Sequence, residues 1–274
     1  MFSVFKFAAF INIAALLSVC FFLVWNGLPA LSWEFLTEPP RNSMTEGGIL
    51  PCIIGTFFLS LGALGVSFPL GVASAVYLHE YAGHSAFARY IRLGVNNLAG
   101  VPSIVFGLFG MSFFVISCGF GISLLSGVLT LAVLTLPVII STAEEALRQV
   151  PGVLRESSFA LGATQSQTVA RVVLPAALPG MLTGAILGLS RASGETAAIM
   201  FTATVFFSKK SVDSIFSPVM ALPNHVYVLA TSGTEIEKTL SLQYGTALVL
   251  LGLVLGMNII AIIARDRLQR RQGF

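Results

Sequence analysis

Two residues of opposite charge lie four positions apart inside a strongly apolar stretch of this 274-residue sequence. Arg191 and Glu195 fall near the middle of the run from Ala177 to Phe207, where inserting a charged side chain into a membrane costs about 2.5 to 3.5 kcal/mol. On a continuous helix the two side chains share a face and can pair. A guanidinium can also donate a fork of hydrogen bonds to a tetrahedral oxyanion. The spacing therefore predicts either an anion-binding group or an ion pair that fixes helix packing.

The helical face that carries this pair is otherwise small or polar, which is typical of a pore lining. By helical spacing the face comprises Gly184, Gly188, Arg191, Glu195, Ala198 and Thr202. We expect Glu195 to neutralise Arg191 when no anion is bound. A carboxylate can also accept a hydrogen bond, which hydrogen phosphate can donate and sulfate cannot. We therefore hypothesise that the pair favours phosphate.

Three histidines and the lysines suggest no further chemistry. His79 and His84 resemble the histidine pair of a zinc protease, but residues five apart point about 140° away from each other on a helix, so we expect no metal site. His225 is expected to be solvated in an external loop. No lysine follows a glycine as a P-loop requires, so we expect the chain to bind no ATP and no other cofactor directly.

The elements that position these residues are predicted from composition. Hydrophobic residues form 55% of the chain and charged residues 10%, against roughly 25% charged in soluble domains, so lipid is the expected solvent and nucleic acid is not an expected partner. Crossing a bilayer core of about 30 Å takes roughly 20 helical residues. The sequence predicts an all-α integral membrane protein, with residues 1–274 forming one domain of six spans. These are Phe7 to Leu28, Ile49 to Leu78, Leu93 to Ser117, Gly121 to Ser141, Ala177 to Phe207 and Tyr244 to Ala264.

The distribution of positive charge predicts how the spans are oriented. Most lysines and arginines fall in segments on the side of the N-terminus, which places both termini in the cytoplasm. The segments 29–48 and 208–243 are then external, and they either receive an external partner or simply connect spans. The apolar stretch from Val226 to Ala230 either lies on the membrane surface or dips back into it.

Residues 142–176 form the most polar connection, on the predicted cytoplasmic side. Gly162 separates two predicted short helices there. The other local signals are Thr142 with Glu145 and Thr164 with Gln167, both at capping-box spacing, and Pro151 at a first helical turn. The apolar residues are Val153, Leu154, Phe159 and Leu161. They predict a surface that contacts either the chain's own spans or a partner protein.

This connection resembles the loop of permeases of binding-protein-dependent ATP-binding-cassette importers, which has the pattern E-A-A-x3-G-x9-I-x-L-P. The matching residues are Glu156, Ser157, Ser158, Gly162, Val172, Leu174 and Pro175. Every spacing agrees, and the departures are Ser for both alanines and Val for Ile. The resemblance implies the type I importer permease fold, with a coupling loop in 142–176 that docks into a groove of a separate ATPase.

Three more segments resemble phosphate-specific permeases of that family, most closely the PstA type. They are residues 191–197, which read R-A-S-G-E-T-A, residues 100–110 and residues 77–82. The resemblance implies a bacterial inner-membrane complex of this chain with a second, similar permease, two cytoplasmic ATP-binding subunits and an external phosphate-binding protein. ATP would be hydrolysed by the partner ATPase.

The predicted substrate pathway comprises Arg191, Ser193, Glu195, Thr196 and Thr202. Two alternatives stay open at this point. One is a permease for another oxyanion, such as sulfate, molybdate or tungstate. The other is a channel or secondary transporter that needs no ATPase.

Overall fold

A computed structural model describes residues 2–41, 46–83, 85–208, 213–232 and 236–271. Its first part contains α1 (Phe2–Gly27), a 3₁₀ turn (Leu28–Ala30) and α2 (Trp33–Thr37). A two-residue antiparallel hairpin follows, formed by β1 (Pro40–Arg41) and β2 (Glu46–Gly47). Next come α3 (Leu50–Val76), which continues as a π-helix over Tyr77–Tyr81, and α4 (Ala86–Ala99).

The remaining elements complete the helical architecture. They are α5 (Ser103–Gly110) with a π-helix over Met111–Ser117, α6 (Leu124–Arg148), α7 (Gly152–Ala160) and α8 (Gln165–Thr168). A π-helix over Val169–Val173 joins α8 to α9 (Leu174–Ser193), and α10 (Ala197–Met200), α11 (Leu222–Ser232) and α12 (Ile236–Arg271) follow. From Gln165 to Ser193 the chain is therefore helical without a break.

Five helical segments of the described chain are long and apolar enough to cross a membrane. They are Phe5–Ala30, Leu50–Tyr81, Leu124–Arg148, Gln165–Ser193 and Thr239–Arg270. A sixth crossing is possible only if α4 and the helix from Ser103 to Ser117 count as one span, and these two are bent by 104° relative to each other. Six spans agree with the sequence prediction in number, although the third is bent.

The prediction of one run from Leu93 to Ser117 is corrected by that bend. α4 ends at Ala99, and the next helix begins only at Ser103, with Pro102 as its N-cap residue. Proline has no N–H to donate and disfavours helical geometry at the residue before it, so the chain changes direction there. α4 is strongly amphipathic, as expected of a helix with only one face on the protein.

The fifth span is also shorter than predicted at its far end. α9 stops at Ser193, with Gly194 as its C-cap residue, and only the four-residue α10 follows before Phe207. Glycine weakens a helix at such a position. The predicted continuous face from Gly184 to Thr202 is therefore wrong beyond Ser193.

The chain forms two compact units. The first contains described residues of 1–56, 205–213 and 219–253, and its apolar core includes Phe35, Ile49, Cys52 and Leu222. The second contains described residues of 57–204, 214–218 and 254–274. Its core includes Leu147, Val173, Ala177 and Met181, where α6 and α9 pack together. That residues 1–274 act as a single membrane domain remains a prediction.

The contact between α6 and α9 depends on glycine. A Cβ added to Gly180 would lie 2.7 Å from Ala146 Cβ, and one added to Gly184 would overlap Thr142 Oγ1. Gly188 faces Ile139 in the same way, at 3.2 Å. Small residues let membrane helices approach closely. Gly184 and Gly188 therefore bind a neighbouring helix, and the prediction that they line a pore is wrong.

Candidate functional site

The coupling loop begins later than the sequence predicted. Residues 142–148 are the end of α6, and Thr142 Oγ1 donates to the carbonyls of Val138 and Ile139 at 2.8 and 3.1 Å. The predicted capping box of Thr142 and Glu145 is therefore wrong, because the backbone there already belongs to a helix. Pro151 is the N-cap residue of α7, one position before its first turn.

The second half of the loop has the predicted turn and cap. Gly162 has a φ of +83°, a left-handed conformation that glycine adopts most easily. Thr164 N donates to Gln167 Oε1 at 2.9 Å, and Gln167 N donates to Thr164 Oγ1 at 3.4 Å. This reciprocal pair is a capping box. The prediction of helix, turn and helix is confirmed here.

An ion pair fastens α7 to the end of α3. Arg155 donates from Nη2 to Glu80 Oε1 at 2.8 Å and from Nε to Glu80 Oε2 at 3.4 Å. The same guanidinium donates to the carbonyls of Val150 and Leu147 at 2.9 and 3.1 Å. A bidentate arginine–carboxylate contact fixes orientation as well as distance. One side chain therefore connects α3, α6 and α7.

Glu80 is also held by the other arm of the loop. Gln165 Nε2 donates to the Glu80 carbonyl oxygen at 2.6 Å, and Tyr81 Oη donates to Ser166 Oγ at 3.4 Å. We call Glu80, Arg155 and Gln165 the clasp. Sequence reasoning missed it, because Arg155 and Gln165 lie 75 and 85 positions from Glu80. The one signal in the sequence was Glu80 itself, a charged residue at the end of a span that could pair with a residue of the polar loop.

The predicted coupling residues fall in two places. Glu156 and Ser157 are exposed on α7, and Gly162 is exposed in the turn. Ser158 is half-buried, with its Oγ 2.9 Å from Thr168 Oγ1. Val172 is half-buried in the π-helix before α9, and Leu174 and Pro175 are half-buried in the first turn of α9. Glu156, Ser157 and Gly162 are therefore accessible, whereas Leu174 packs against the core between α6 and α9.

Large apolar side chains on this surface are exposed. Leu161 is 89% exposed, Val153 67% and Phe159 48%, whereas Leu154 packs against the core between α6 and α9. The sequence predicted that these apolar residues contact either the chain's own spans or a partner protein. Leu154 makes the first kind of contact. The other three are exposed and remain available for the predicted contact with a partner; Val153, Phe159 and Leu161 are together called the apolar docking face.

Arg191 and Glu195 are separated by the break in the fifth span. Arg191 is half-buried in the last turn of α9, and within the described part of the chain its side chain forms no hydrogen bond or salt bridge. Glu195 Oε1 accepts a hydrogen bond from Ala198 N at 3.3 Å, at the start of α10. The two form no ion pair among the described residues, so the predicted neutralisation of Arg191 by Glu195 is not seen. The helix ends between them, which removes the geometry that pairing required.

Two of the three hydroxyl groups predicted for the pathway already donate hydrogen bonds to backbone carbonyls. Ser193 Oγ donates to the Leu189 carbonyl at 2.7 Å, and Thr202 Oγ1 donates to the Ala198 carbonyl at 3.0 Å. Both residues are buried, so the structure does not support direct contact of these two with a substrate. Thr196 is half-buried just before α10. Arg191, Glu195 and Thr196 are therefore the predicted pathway residues that remain partly accessible.

The break is positioned by the glycines of α5. A Cβ on Gly107 would lie 3.0 Å from both the Ala197 carbonyl oxygen and Ala198 Cα. One on Gly110 would lie 2.9 Å from Thr202 Cγ2 and would overlap Thr130 Oγ1. These close approaches let α10 and Thr202 lie directly on α5 and α6. They give a physical reason for glycine at both positions.

A second ion pair fixes α4 to α6. Arg92 Nε donates to Glu144 Oε1 at 2.9 Å, and Arg92 Nη2 donates to the Leu78 carbonyl at 2.7 Å. Glu144 is buried, and the pair borders a cavity of about 240 Å³. The sequence analysis did not predict it. It holds the amphipathic α4 against the ends of α3 and α6.

His225 is buried, which corrects the prediction that it is solvated. It lies on α11, with Nδ1 3.3 Å from Thr246 Oγ1. Thr246 Oγ1 donates its own proton to the Leu242 carbonyl at 2.8 Å, so the hydroxyl must accept from Nδ1–H. Burial lowers the pKa of His225 from 6.5 to about 4. The imidazole is therefore neutral at physiological pH.

Comparison with known structures identifies the same architecture. The inward-facing MetNI methionine ABC transporter has a chain that matches with a TM-score of 0.59 and 24% identity, covering 82% of this chain and 94% of that one. A chain of a bacterial ABC transporter involved in the import of the acidic polysaccharide alginate matches with a TM-score of 0.58 and 13% identity, covering 97% and 96%. At these identities the likeness shows the fold alone, which is that of ABC importer permeases.

Comparison with curated sequences identifies the family. The chain is 34% identical over 268 residues to a probable ABC transporter permease protein, YqgI, of Bacillus subtilis (strain 168), covering 94% of this chain and 91% of that protein. It is 36% identical over 268 residues to the phosphate transport system permease protein PstA of Mycobacterium leprae (strain TN), covering 96% and 86%. The family model described as "Binding-protein-dependent transport system inner membrane component" matches residues 67–273. The chain therefore belongs to this family and is a multi-pass inner-membrane permease subunit of an ABC importer.

Proposed function

We propose that the chain carries inorganic phosphate across the inner membrane as one of two permease subunits of its importer. The observation that carries this proposal is Arg191, a permanent cation inside an apolar span, whose side chain has no acceptor among the described residues. Such a charge needs a counter-ion. A tetrahedral oxyanion supplies one with the geometry that a guanidinium binds best.

Glu195 adds a reason to favour phosphate over sulfate. Its Oε1 accepts a hydrogen bond from Ala198 N, and no hydrogen bond within the described chain uses its Oε2. Hydrogen phosphate can donate a proton to such an oxygen, whereas sulfate has none to donate at neutral pH. The relatives named as phosphate transport permeases support the same substrate for this chain.

The proposed partners follow from the family and from the apolar docking face. Two cytoplasmic ATP-binding subunits would hydrolyse ATP, and one would receive Val153, Phe159 and Leu161 in a groove. A second, similar permease would complete the pathway, and an external phosphate-binding protein would deliver the anion. This chain itself would bind no ATP and no other cofactor.

Uptake of labelled phosphate by cells or vesicles with the assembled importer tests the substrate. We expect Arg191→Gln to reduce phosphate uptake by about 100-fold, because an ion pair to a desolvated anion contributes roughly 3 kcal/mol. Arg191→Lys should restore part of the activity, since it keeps the charge but not the fork of donors. Unlabelled sulfate should compete poorly with the wild type.

The control is Arg171→Gln, which removes an exposed arginine from the helix that leads into α9 and should leave uptake unchanged. Normal uptake in Arg191→Gln would contradict the role of this side chain. Competition by sulfate, molybdate or tungstate that equals or exceeds competition by phosphate would favour a permease for another oxyanion. Glu195→Gln tests the carboxylate separately. If this variant still prefers phosphate over sulfate to the same degree, Glu195 does not contribute to selectivity.

A further inference from the structure

A cavity unrelated to Arg191 lies where the ends of α6, α9 and α12 meet the start of α7. It encloses about 520 Å³. The apolar residues in its lining that stay partly accessible are Leu154, Ala176 and Pro179. The polar residues in the lining are Gln149, Thr183, Arg265 and Gln269. The cavity is therefore amphipathic, with one cationic group among the residues that line it.

Arg265 is held in place by hydrogen bonds, but not all of its N–H groups have an acceptor. Its Nε and Nη2 donate to Asp266 Oδ1 at 3.1 and 2.9 Å, and its Nη1 donates to Thr183 Oγ1 at 3.3 Å. A guanidinium has five N–H donors, so two find no acceptor within the described chain. The side chain is 28% exposed, which leaves these donors open to a ligand in the cavity.

The position of Arg265 along α12 places the cavity at the level of the lipid headgroups. The helix carries no charged residue from Thr239 to Ala264, and Arg265 is the first one after that run. Arg267, Arg270 and Arg271 follow within the next two turns, and Asp266 offsets one of the four positive charges. A cationic cluster directly after an apolar span, on the predicted cytoplasmic side, attracts anionic lipids.

We propose that this cavity binds an anionic phospholipid. The phosphate lies beside Arg265 and Thr183, and the first part of an acyl chain covers the partly accessible Leu154, Ala176 and Pro179. A small soluble anion would satisfy Arg265 but would leave these apolar side chains in contact with water. A zwitterionic lipid would cover them but would place its own cation near Arg265.

A lipid in this position contacts the connection between α6 and α7. Val150 and Leu154 line the cavity, and Leu154 lies on the same helix as the apolar docking face. Because the site is separate from Arg191, the proposal does not depend on the identity of the transported substrate. None of the residues predicted for the substrate pathway lines this cavity.

Native mass spectrometry of the importer, purified with its ATPase subunits, tests the proposal. Phosphatidylglycerol and phosphatidylcholine with identical acyl chains are added separately, and the lipid retained per complex is measured. We expect phosphatidylglycerol to be retained preferentially. Arg265→Gln should weaken this retention about fivefold, since one cationic side chain near an anionic surface contributes about 1 kcal/mol.

Two more variants separate the cavity from general surface charge. Thr183→Phe keeps every charge but fills the cavity, and it should also reduce retention. Arg267→Gln removes a charge outside the cavity lining, and it should change retention much less than Arg265→Gln does. Unchanged thermal unfolding of each variant without added lipid shows that its fold is intact.

Three results would overturn the proposal. The first is equal retention of the two lipids by the wild type. The second is an equal effect of Arg265→Gln and Arg267→Gln, which would mean that the tail attracts lipid without a defined site. The third is retention of phosphatidylglycerol only after the ATPase has been removed, which would make the cavity a protein-docking surface.

Discussion

Arg191 and Glu195 do not pair although they lie only four residues apart. Ending α9 at Ser193 frees the backbone N–H groups at the start of α10, and the Glu195 carboxylate accepts a hydrogen bond from one of them. Arg191 is left without an acceptor inside the described chain. A half-buried charge in an apolar span is costly without a counter-ion, which is the physical basis of the anion contact proposed above.

His225 gives a prediction about pH. Because burial lowers its pKa from 6.5 to about 4, the unfolded chain binds a proton more readily than the folded one in that interval. The free energy of unfolding should be unaffected by this residue above pH 6.5, and it should fall as the pH drops from 6.5 towards 4. The slope contributed should be at most about 1.4 kcal/mol per pH unit.

The measurement is thermal unfolding in detergent over that pH interval. His225→Gln keeps a hydrogen-bonding group beside Thr246 and removes the titration, so it should flatten the dependence. Arg171→Gln, which changes an exposed side chain of the second compact unit, is the control and should retain it. An identical slope in the wild type and in His225→Gln would show that other groups dominate.

Sequence reasoning at the residue scale identified which residue types matter more reliably than what they contact. Arg191 was singled out correctly as a charge in an apolar run, because that depends on composition alone. Its pairing with Glu195 assumed a continuous helix, which Gly194 ends. The burial of His225 could not be predicted, because it depends on Thr246, 21 positions away on another helix.

At the scale of elements, the clasp decides how α7 is attached. Glu80 offers its carboxylate to Arg155 and its carbonyl to Gln165, so both arms of the coupling loop are fixed to the end of α3. The segment that carries Glu80 is a π-helix, a form that is often found at functional positions. Movement of α7 should therefore be transmitted to the second span in part through this residue, beside the contacts of Tyr81 with Ser166 and of Leu154 with the core.

We expect Arg155→Ala to reduce uptake about tenfold while the ATPase still binds, because α7 stays folded but loses its link to α3. ATP hydrolysis and uptake measured on the same reconstituted vesicles give the ratio of the two rates. Glu80→Gln should have a similar effect, and the double variant should be no worse than either single one, as expected for residues that act through one contact.

Arg171→Ala is the matched control, since it removes an exposed arginine at the other end of the same loop. It should leave the ratio of hydrolysis to uptake unchanged. Additive effects of Arg155→Ala and Glu80→Gln would contradict the clasp as a transmitting contact.

A capping-box spacing predicted the start of a helix correctly only where the backbone was not already part of a longer helix. Thr164 and Gln167 form the expected capping box because the chain turns at Gly162 just before them. Thr142 and Glu145 have the same spacing, but they lie inside α6, where the backbone is already hydrogen-bonded. Spacing alone does not distinguish these cases, because the difference is the length of the preceding helix.

At the scale of the whole molecule, composition predicted the membrane and the number of apolar runs. A run of about 20 apolar residues is long enough to cross a bilayer, so the five long crossings can be found by counting apolar residues along the chain. The bend of 104° between α4 and α5 and the break at Gly194 did not follow, because the apolar content of a run does not specify where its helix bends or ends. The packing of Gly107 and Gly110 against other helices stabilises such irregular geometry, and it is visible only in three dimensions.

The apolar docking face gives a prediction about assembly. We expect Leu161→Asp to reduce co-purification of the ATPase at least tenfold, because an exposed leucine that becomes buried at an interface contributes roughly 1.5 to 3 kcal/mol. Quantitative co-purification from the native membrane measures this. Leu161→Met keeps the apolar character and is the control; if both variants retain the ATPase equally, the docking site lies elsewhere.

The unbroken helix from Gln165 to Ser193 has a mechanical consequence. At 1.5 Å per residue, its 29 residues form a rod about 43 Å long, with the coupling loop at one end and Arg191 at the other. The π-helix over Val169–Val173 and Pro179 both interrupt the regular α-helical hydrogen bonds near the loop, so bending is expected there as well as at Gly194. Under the proposed function, a tilt imposed by an ATPase at Gln165 would reach Arg191 along one continuous helix, reduced by bending at the π-helix and at Pro179.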